Sequence, residues 1–297
     1  MKLFVLDTRD VWFAAIIKSA KARGYDAKRI FRGEEALGPG VGFIRPHAEP
    51  NELRKNHRDF DVMDSRLTMI QDRLMVETYE DKSSQFHQWA EWMPPTWRFT
   101  DRDEALQFCE QTAPYPLVSK ADVGASSVNV RVLEDKNEAI AHVASLFAAG
   151  VSVHHCAGNA KSVQKGYALL QQFIPHTVTW RVNAVGRKRA AFMRYCYPDK
   201  PVAQTGNVAP VMTMTPQVES LLEFSNLFFA MADTRWCAID VLQDGDQWRF
   251  IESSLAFPWP SPGACGTSPF FGSGKTWNQI WDVMFDELEA GTWQKKQ

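Results

Sequence analysis

The stretch Trp236–Pro260, WCAIDVLQDGDQWRFIESSLAFPWP, limits the fold of this chain more than any other. Two apolar runs, Trp236–Leu242 and Trp248–Ile251, flank the polar turn Gln243-Asp244-Gly245-Asp246-Gln247. Asp-Gly tolerates the positive φ angles of a tight reversal, so the pattern predicts a β-hairpin. Each run carries one carboxylate that breaks its apolar character, Asp240 and Glu252, an even number of positions apart. With a three-residue loop, Asp244-Gly245-Asp246, position 240 lies opposite position 250. Glu252 is then the diagonal neighbour of Asp240 on the same face. A two-residue loop puts the two acids on opposite faces. Carboxylates that converge on one face repel unless a cation lies between them, and Mg²⁺, held by few carboxylates and by phosphate oxygens, meets that need. Two solvent-facing acids on an edge hairpin are the alternative, and this stretch alone leaves both open.

The rest of the chain decides between them. At 297 residues it is long enough for one large or two to three small domains. With 23% charged residues and a net charge of −2, nothing global calls for nucleic acid or an anionic membrane. The basic cluster Arg187-Lys188-Arg189 is expected at a solvated hairpin turn. No apolar stretch reaches the length of a membrane span, and the start, MKLFVLDTRD, lacks a secretory apolar region. Five scattered cysteines argue for a reducing compartment, so the expected location is cytoplasmic. Oligomeric state and substrate identity leave no mark in the sequence.

From the N-terminus, a strand at Lys2–Leu6, a helix at Val11–Arg23 and strands at Ala27–Phe31 and Val41–Ile44 predict a small open α/β domain of Rossmann-like type. The turn after the first strand is Asp7-Thr8-Arg9-Asp10, so a Gly-x-Gly-x-x-Gly dinucleotide fingerprint is absent. Residues His47–Arg58 look loop-like, and Phe60–Tyr79 carries helical periodicity. Asp81-Lys82 opens a further helix, which Pro94-Pro95 brings to a stop at the expected first domain boundary.

The strand Pro116–Lys120 ends in a lysine, and the loop Gly124-Ala125-Ser126-Ser127 follows before a strand at Val128–Leu133. Small residues let backbone N–H groups approach an anion, and the strand-terminal lysine adds a point charge for phosphate; a plain hairpin turn is the alternative. Downstream are a helix at Glu138–Ala149 and the strand Ala168–Ile174. A hairpin of Thr179–Val185 with Arg189–Tyr195 and a helix at Val218–Met231 follow. Arg181 and Arg194 lie inside the hairpin's apolar runs, which is costly unless each meets an acid or an anion. His154-His155-Cys156 has no second half of a zinc site and is expected to be a loop. Gly272-Ser273-Gly274-Lys275-Thr276 lacks the upstream glycine of a phosphate loop and is expected to lead into a helix over Trp277–Leu288.

In this order, Lys82, Lys120 with its small-residue loop, Gln171-Gln172-Phe173-Ile174, two sheet arginines and two strand carboxylates resemble the ATP-grasp superfamily, especially its RimK-like and glutathione-synthetase-like carboxylate–amine ligases. The resemblance covers roughly Asp81 to Pro260. It implies an α/β (α+β) ATP-grasp fold behind an N-terminal Rossmann-like domain. The expected divisions are 1–95 for that domain, 96–175 for a lid subdomain and 176–297 for a C-terminal subdomain carrying the metal hairpin. It further implies that Lys82 and Lys120 contact the ATP phosphates and that Gly124, Ala125, Ser126 and Ser127 close over them. Gln172, Phe173 and Ile174 would meet the adenine edge, and Asn207 would add a phosphate contact.

By the same resemblance Arg181 and Arg194 face the triphosphate or an acyl phosphate, and Asp240, Glu252 and Ser254 hold one or two Mg²⁺ ions. Two departures stand out. Relatives carry Glu-x-Asn at the second metal strand, where this chain has Glu252-Ser253-Ser254, and a ribose-binding acid where it has Thr179-Trp180. The implied reaction joins a small-molecule or peptide carboxylate to an amine, through an acyl phosphate, with release of ADP and phosphate. A phosphotransferase on the same fold and a non-catalytic ATP-binding module are the alternatives.

Overall fold

The computed structural model describes residues 1–6, 13–46, 50–123, 129–154, 161–196, 203–255, 257 and 267–293. The N-terminal sheet is parallel, in the order β2-β1-β3-β4, built from β1 (Lys2–Leu6), β2 (Asp26–Ile30), β3 (Val41–Ile44) and β4 (Thr68–Met69). Helix α1 (Phe13–Ala22) makes the first crossover, and Gly24, at φ +75°, ends its last turn in the left-handed region. The central strands β1 and β3 are buried almost throughout, as expected for a parallel sheet covered by helices, whereas the edge strand β2 buries only Ile30.

Between β3 and α4 the expectations need correction. The segment expected to be a loop, 47–58, lies largely in helix α2 (Pro50–Asp64), and the expected helix over 60–79 is broken by β4 before α3 (Arg73–Glu77). A two-residue strand is too short to show alternation, so the helical periodicity on either side masks it. Asp81 caps α4 (Lys82–Trp89) by accepting from the Ser84 backbone N–H at 2.9 Å.

After the double proline comes an antiparallel sheet, β5-β10-β6-β7, formed by β5 (Thr96–Phe99), β6 (Leu117–Lys120), β7 (Val130–Leu133) and β10 (Ala168–Gln172). It packs on α5 (Arg102–Gln111) and α6 (Lys136–Ala148) through its own core of Ala105, Leu117, Leu133, Val143 and Leu170. β8 (Val151–His154) and β9 (Lys161–Gln164) form a separate ribbon.

The largest sheet is antiparallel, in the order β13-β12-β11-β14-β15. Its strands are β11 (Val178–Val185), β12 (Lys188–Cys196), β13 (Ala203–Pro210), β14 (Trp236–Asp244) and β15 (Gln247–Ser254). One face packs on α7 (Pro216–Met231), where Trp89, Phe228 and Phe250 meet with ring centroids 4.6–5.5 Å apart. At the other face Trp236 stacks on Phe257 and Trp281 of α8 (Ile280–Glu289), and Phe43 of the N-terminal sheet abuts both tryptophans edge-on. A single apolar core therefore runs from the parallel sheet into the five-stranded sheet. β16 (Pro269–Phe270) and β17 (Lys275–Thr276) pair just before α8. Among the described residues no helix is long and apolar enough to cross a membrane.

Candidate active site

The hairpin forms, but not by the expected loop. Asp244 pairs with Gln247, so the loop is the two residues Gly245-Asp246, with Gly245 at φ +58°. From Val241↔Phe250 a regular ladder would put Asp240 opposite Ile251 and turn Glu252 to the other face. A β-bulge between Asp240 and Val241 takes up Ile251 as an extra residue, and Asp240 pairs directly with Glu252. The acids share a face because of the bulge, not because of the loop length.

Arg181 on β11 is the cross-strand partner of Asp240, so Arg181, Asp240 and Glu252 form one row over three strands. Arg181 Nε donates to Asp240 Oδ1 at 2.8 Å, and Arg194 Nη1 donates to Oδ2 at 2.7 Å. Asp240 is 5% exposed. Burial would raise its pKa, but the two guanidinium groups outweigh it and hold the carboxyl below the usual range. Burial and the neighbouring Arg181 charge lower Arg194 in turn. The carboxyls of Asp240 and Glu252 lie within hydrogen-bonding reach of each other.

Lys82, at the first position of α4, brings Nζ to 3.8 Å from Glu252 Oε2. Lys120, at the end of β6, donates to Gln171 Oε1 at 2.7 Å, and burial pulls its pKa down to about 8. Gln171 Nε2 in turn donates to Thr96 Oγ1 at 2.8 Å, which fixes the amide so that its oxygen meets the lysine. Gln85 ties α4 to the metal-strand candidate: its amide bonds the Thr78 carbonyl at 2.9 Å and the Ser253 backbone at 2.9 and 3.1 Å.

These groups face a cleft between the antiparallel sheets. One end holds Lys82, Lys120, Arg194, Asp240 and Glu252; the other is lined by Phe173, Ile174, His176, Leu242 and Ile251, with Gln172 and Thr179 beside them. Expected site residues from α4, β6, the end of β10, β12, β14 and β15 thus converge. Arg181 lies one hydrogen bond behind Asp240. Ser254 pairs with Ala238 at the end of β15, is buried, and is not part of the cleft lining. Asn207 lies on β13, next to Val208, which pairs with Arg194 on β12. Gly124, Ala125, Ser126 and Ser127 lie outside the described residues.

Sequence reasoning missed Glu80. It adopts φ +57°, rare for a residue with a side chain, and burial pushes its carboxyl up to about 7 in the combined field of Lys82, Glu252, Arg181 and Asp240. Its one sequence signal is its place immediately before the capping Asp81. Gln85 was also missed, as was the bond of Gln171 to Lys120, since a buried amide that braces a lysine or a strand has no spacing signature.

Among the described residues no three His, Cys, Asp or Glu side chains converge as a metal cage. Two touching carboxylates nevertheless need a proton or a cation between them, and Asp240 Oδ1 keeps a lone pair beyond its Arg181 bond, whereas Oδ2 accepts from both arginines. That donor set fits a Mg²⁺ that takes two carboxylates and completes its shell with phosphate oxygens and water.

No protein-family model matches the chain, and no curated protein matches it in sequence. Solved structures do match, and they define the class: the chain has the ATP-grasp fold. The RimK domain ATP-grasp protein of Sphaerobacter thermophilus superposes with a TM-score of 0.60 at 16% identity, covering 97% of this chain and 100% of that one. D-alanine–D-alanine ligase from Bacillus anthracis gives 0.62 at 12% identity and covers 99% of both. A Chryseobacterium gregarium RiPP-associated ATP-grasp ligase, solved with ADP and a leader and core peptide, gives 0.62 at 13% identity over 98% and 96%.

Proposed function

We propose that the protein is an ATP-dependent carboxylate–amine ligase that forms an amide or peptide bond through an acyl phosphate. The observation that carries this reading is the cleft itself. Four cations, Lys82, Lys120, Arg181 and Arg194, gather around Asp240 and Glu252 at one end, and an apolar end adjoins them. A surplus of positive charge beside an aromatic-lined slot suits a nucleoside triphosphate, with phosphates on the cations and base in the slot. The same layout supports divisions at 1–95, 96–175 and 176–297, with the cleft where the last two meet.

Lys82 and Lys120 neutralise phosphate charge while the substrate carboxylate oxygen attacks the γ-phosphorus and the bond to ADP breaks. Lys120 is held by Gln171 at its post, so little reorganisation accompanies charge transfer. Arg194, anchored on Asp240, orients the acyl phosphate. The amine nitrogen then attacks the acyl carbon, the carbon–oxygen bond to phosphate breaks, and the amine proton is lost. Asp240 and Glu252 would hold Mg²⁺, which supplies charge neutralisation at the β- and γ-phosphates when bound. Positioning and electrostatics suffice, and no protein nucleophile is required. Gly124–Ser127 is proposed to cover the phosphates, and Ser254 and Asn207 to stand at the margin of the site.

The acid and amine are a small molecule or a peptide, in keeping with the peptide-bound state of one structural neighbour. Among the described residues Cys109 and Cys237 are buried free thiols, in keeping with a cytoplasmic location. The test is hydroxylamine trapping with ATP against a panel of carboxylic acids. A ligase yields a hydroxamate with ADP and phosphate. ATP consumption that yields only a phosphorylated product identifies a phosphotransferase, and no consumption at all a binding module.

A further inference from the structure

Lys82 and Lys120 come from separate elements, and Asp122 joins them. It follows Lys120 by two residues, and its backbone N–H donates to Gln164 Oε1 and Tyr167 Oη, both at 2.9 Å, at the corner between β9 and β10. Its carbonyl oxygen accepts from the Lys82 N–H at 3.0 Å, one of the donors that a helix start leaves without an intrahelical partner. Its carboxylate accepts from Ser83 Oγ, and that hydroxyl accepts in turn from Arg98 Nε on β5 at 2.9 Å. Three bonds thus cross from the first turn of α4 to the strands and loop around Lys120. α4 is fixed on its other side, where Gln85 bonds the Ser253 backbone of β15. The bond from the Lys82 N–H to Asp122 would by itself act as a pivot. The Ser83 bonds leave the helix at a second point and stop rotation about it.

We infer that Ser83 is a positioning residue of the phosphate site: through Asp122 it keeps Lys82 and Lys120 at the separation at which both ammonium groups reach one triphosphate. The inference rests on the nucleotide reading above and adds what holds two cations from different parts of the chain in register. Ser83 is not part of the cleft lining, so it acts through the lysines and not by touching nucleotide. Charge attraction falls with distance, and cations already in place need no rearrangement when phosphate arrives. A joint that lets α4 swing leaves one lysine short of the phosphates that the other holds.

The test is calorimetry in MgCl₂ with the β,γ-imido analogue of ATP and with adenosine, which has no phosphate. Ser83→Ala is expected to weaken the triphosphate by about tenfold and adenosine by less than about twofold, because only the triphosphate reaches the lysines. Ser83→Thr keeps the hydroxyl and should restore triphosphate binding. In a Lys120→Met background Ser83→Ala should cost much less than it does alone, since two cations no longer have to be kept in register. A destabilised fold would lower the fraction of protein that binds and leave the ratio of the two affinities unchanged. Unchanged triphosphate affinity in Ser83→Ala, an equal loss for adenosine, or a loss undiminished beside Lys120→Met overturns the role of Ser83 while the nucleotide reading stands. Failure of the wild type to bind the triphosphate analogue overturns both.

Discussion

Asp240 faces Glu252 across two antiparallel strands only because Ile251 is bulged out of the ladder between them. Their carboxyls touch, yet their surroundings differ. Asp240 is enclosed by Arg181 and Arg194, whereas the Glu252 side chain is 32% exposed and has Lys82 at 3.8 Å. The same conservative change at the two positions therefore has different consequences. Asp240→Asn strips two buried guanidinium groups of their one common counter-charge and is expected to cost about 3–5 kcal/mol. Chemical denaturation should show a large loss of stability together with loss of ATP turnover. An Asp240→Asn protein as stable as wild type would contradict the pairing.

Glu252→Gln removes one of two mutually repelling acids. The folded state should be as stable as wild type or slightly more so, by thermal melt, while ATP turnover drops by about 100-fold or more. Raising MgCl₂ should recover part of the loss if Glu252 holds the ion. Near-normal turnover in this variant would remove Glu252 from the phosphate and metal machinery.

The elements of the site that break a pattern were legible in the chain. Asp240, Glu252, Arg181 and Arg194 each interrupt a β-forming run, and Lys82 and Lys120 each follow a capping acid or end a strand. These are chemical costs that a sequence shows on its face. What stayed hidden depends on backbone geometry or on partners remote in the chain. The bulge at Ile251 has no composition cue, and it corrected an error in loop length that would otherwise have separated the acids. The left-handed Glu80 looks like any loop acid. Gln85 bonds Ser253 across a span of 168 residues, which no local window contains. β13, AQTGNVAP, has few β-formers and owes its pairing to Arg194 and its neighbours on β12.

Lys120→Met should leave the fold intact, because the lysine is already desolvated enough for its pKa to fall to about 8, and an apolar chain of similar length suits that position. Nucleotide affinity should fall by about tenfold or more, measured by calorimetry, with the loss shrinking as salt rises. An unchanged affinity would place Lys120 outside the phosphate site and give it to Gln171 alone.

Gln85 is 1% exposed, and its amide closes the gap between the Glu80 corner and the strand that carries Glu252. Gln85→Leu keeps the volume but takes their side-chain partner from the Ser253 N–H and carbonyl, each worth about 1–3 kcal/mol when buried, while the Thr78 carbonyl keeps the Asp81 N–H at 3.2 Å. The melting temperature should drop by several degrees. Turnover should drop too, since Glu252 adjoins the loosened Ser253, although Gln85 touches no part of the cleft. A destabilised variant with wild-type turnover would show that α4 positions Lys82 without governing Glu252.

Asp72, at the start of α3, accepts from the Arg235 N–H at 3.2 Å, and burial pushes its carboxyl up to about 6, well above the unfolded value near 3.9. Between those values the folded chain binds more protons than the unfolded chain. The contribution to stability is therefore complete below about pH 4 and is lost as pH rises through about 6. Asp72→Asn keeps an acceptor for Arg235 and carries no charge. It should melt a few degrees above wild type at pH 7.5 and at nearly the same temperature at pH 4. Melting curves across that range decide the matter, for a wild-type and variant difference that does not grow with pH would mean that Asp72 is charged without penalty where the N-terminal sheet meets the end of α7.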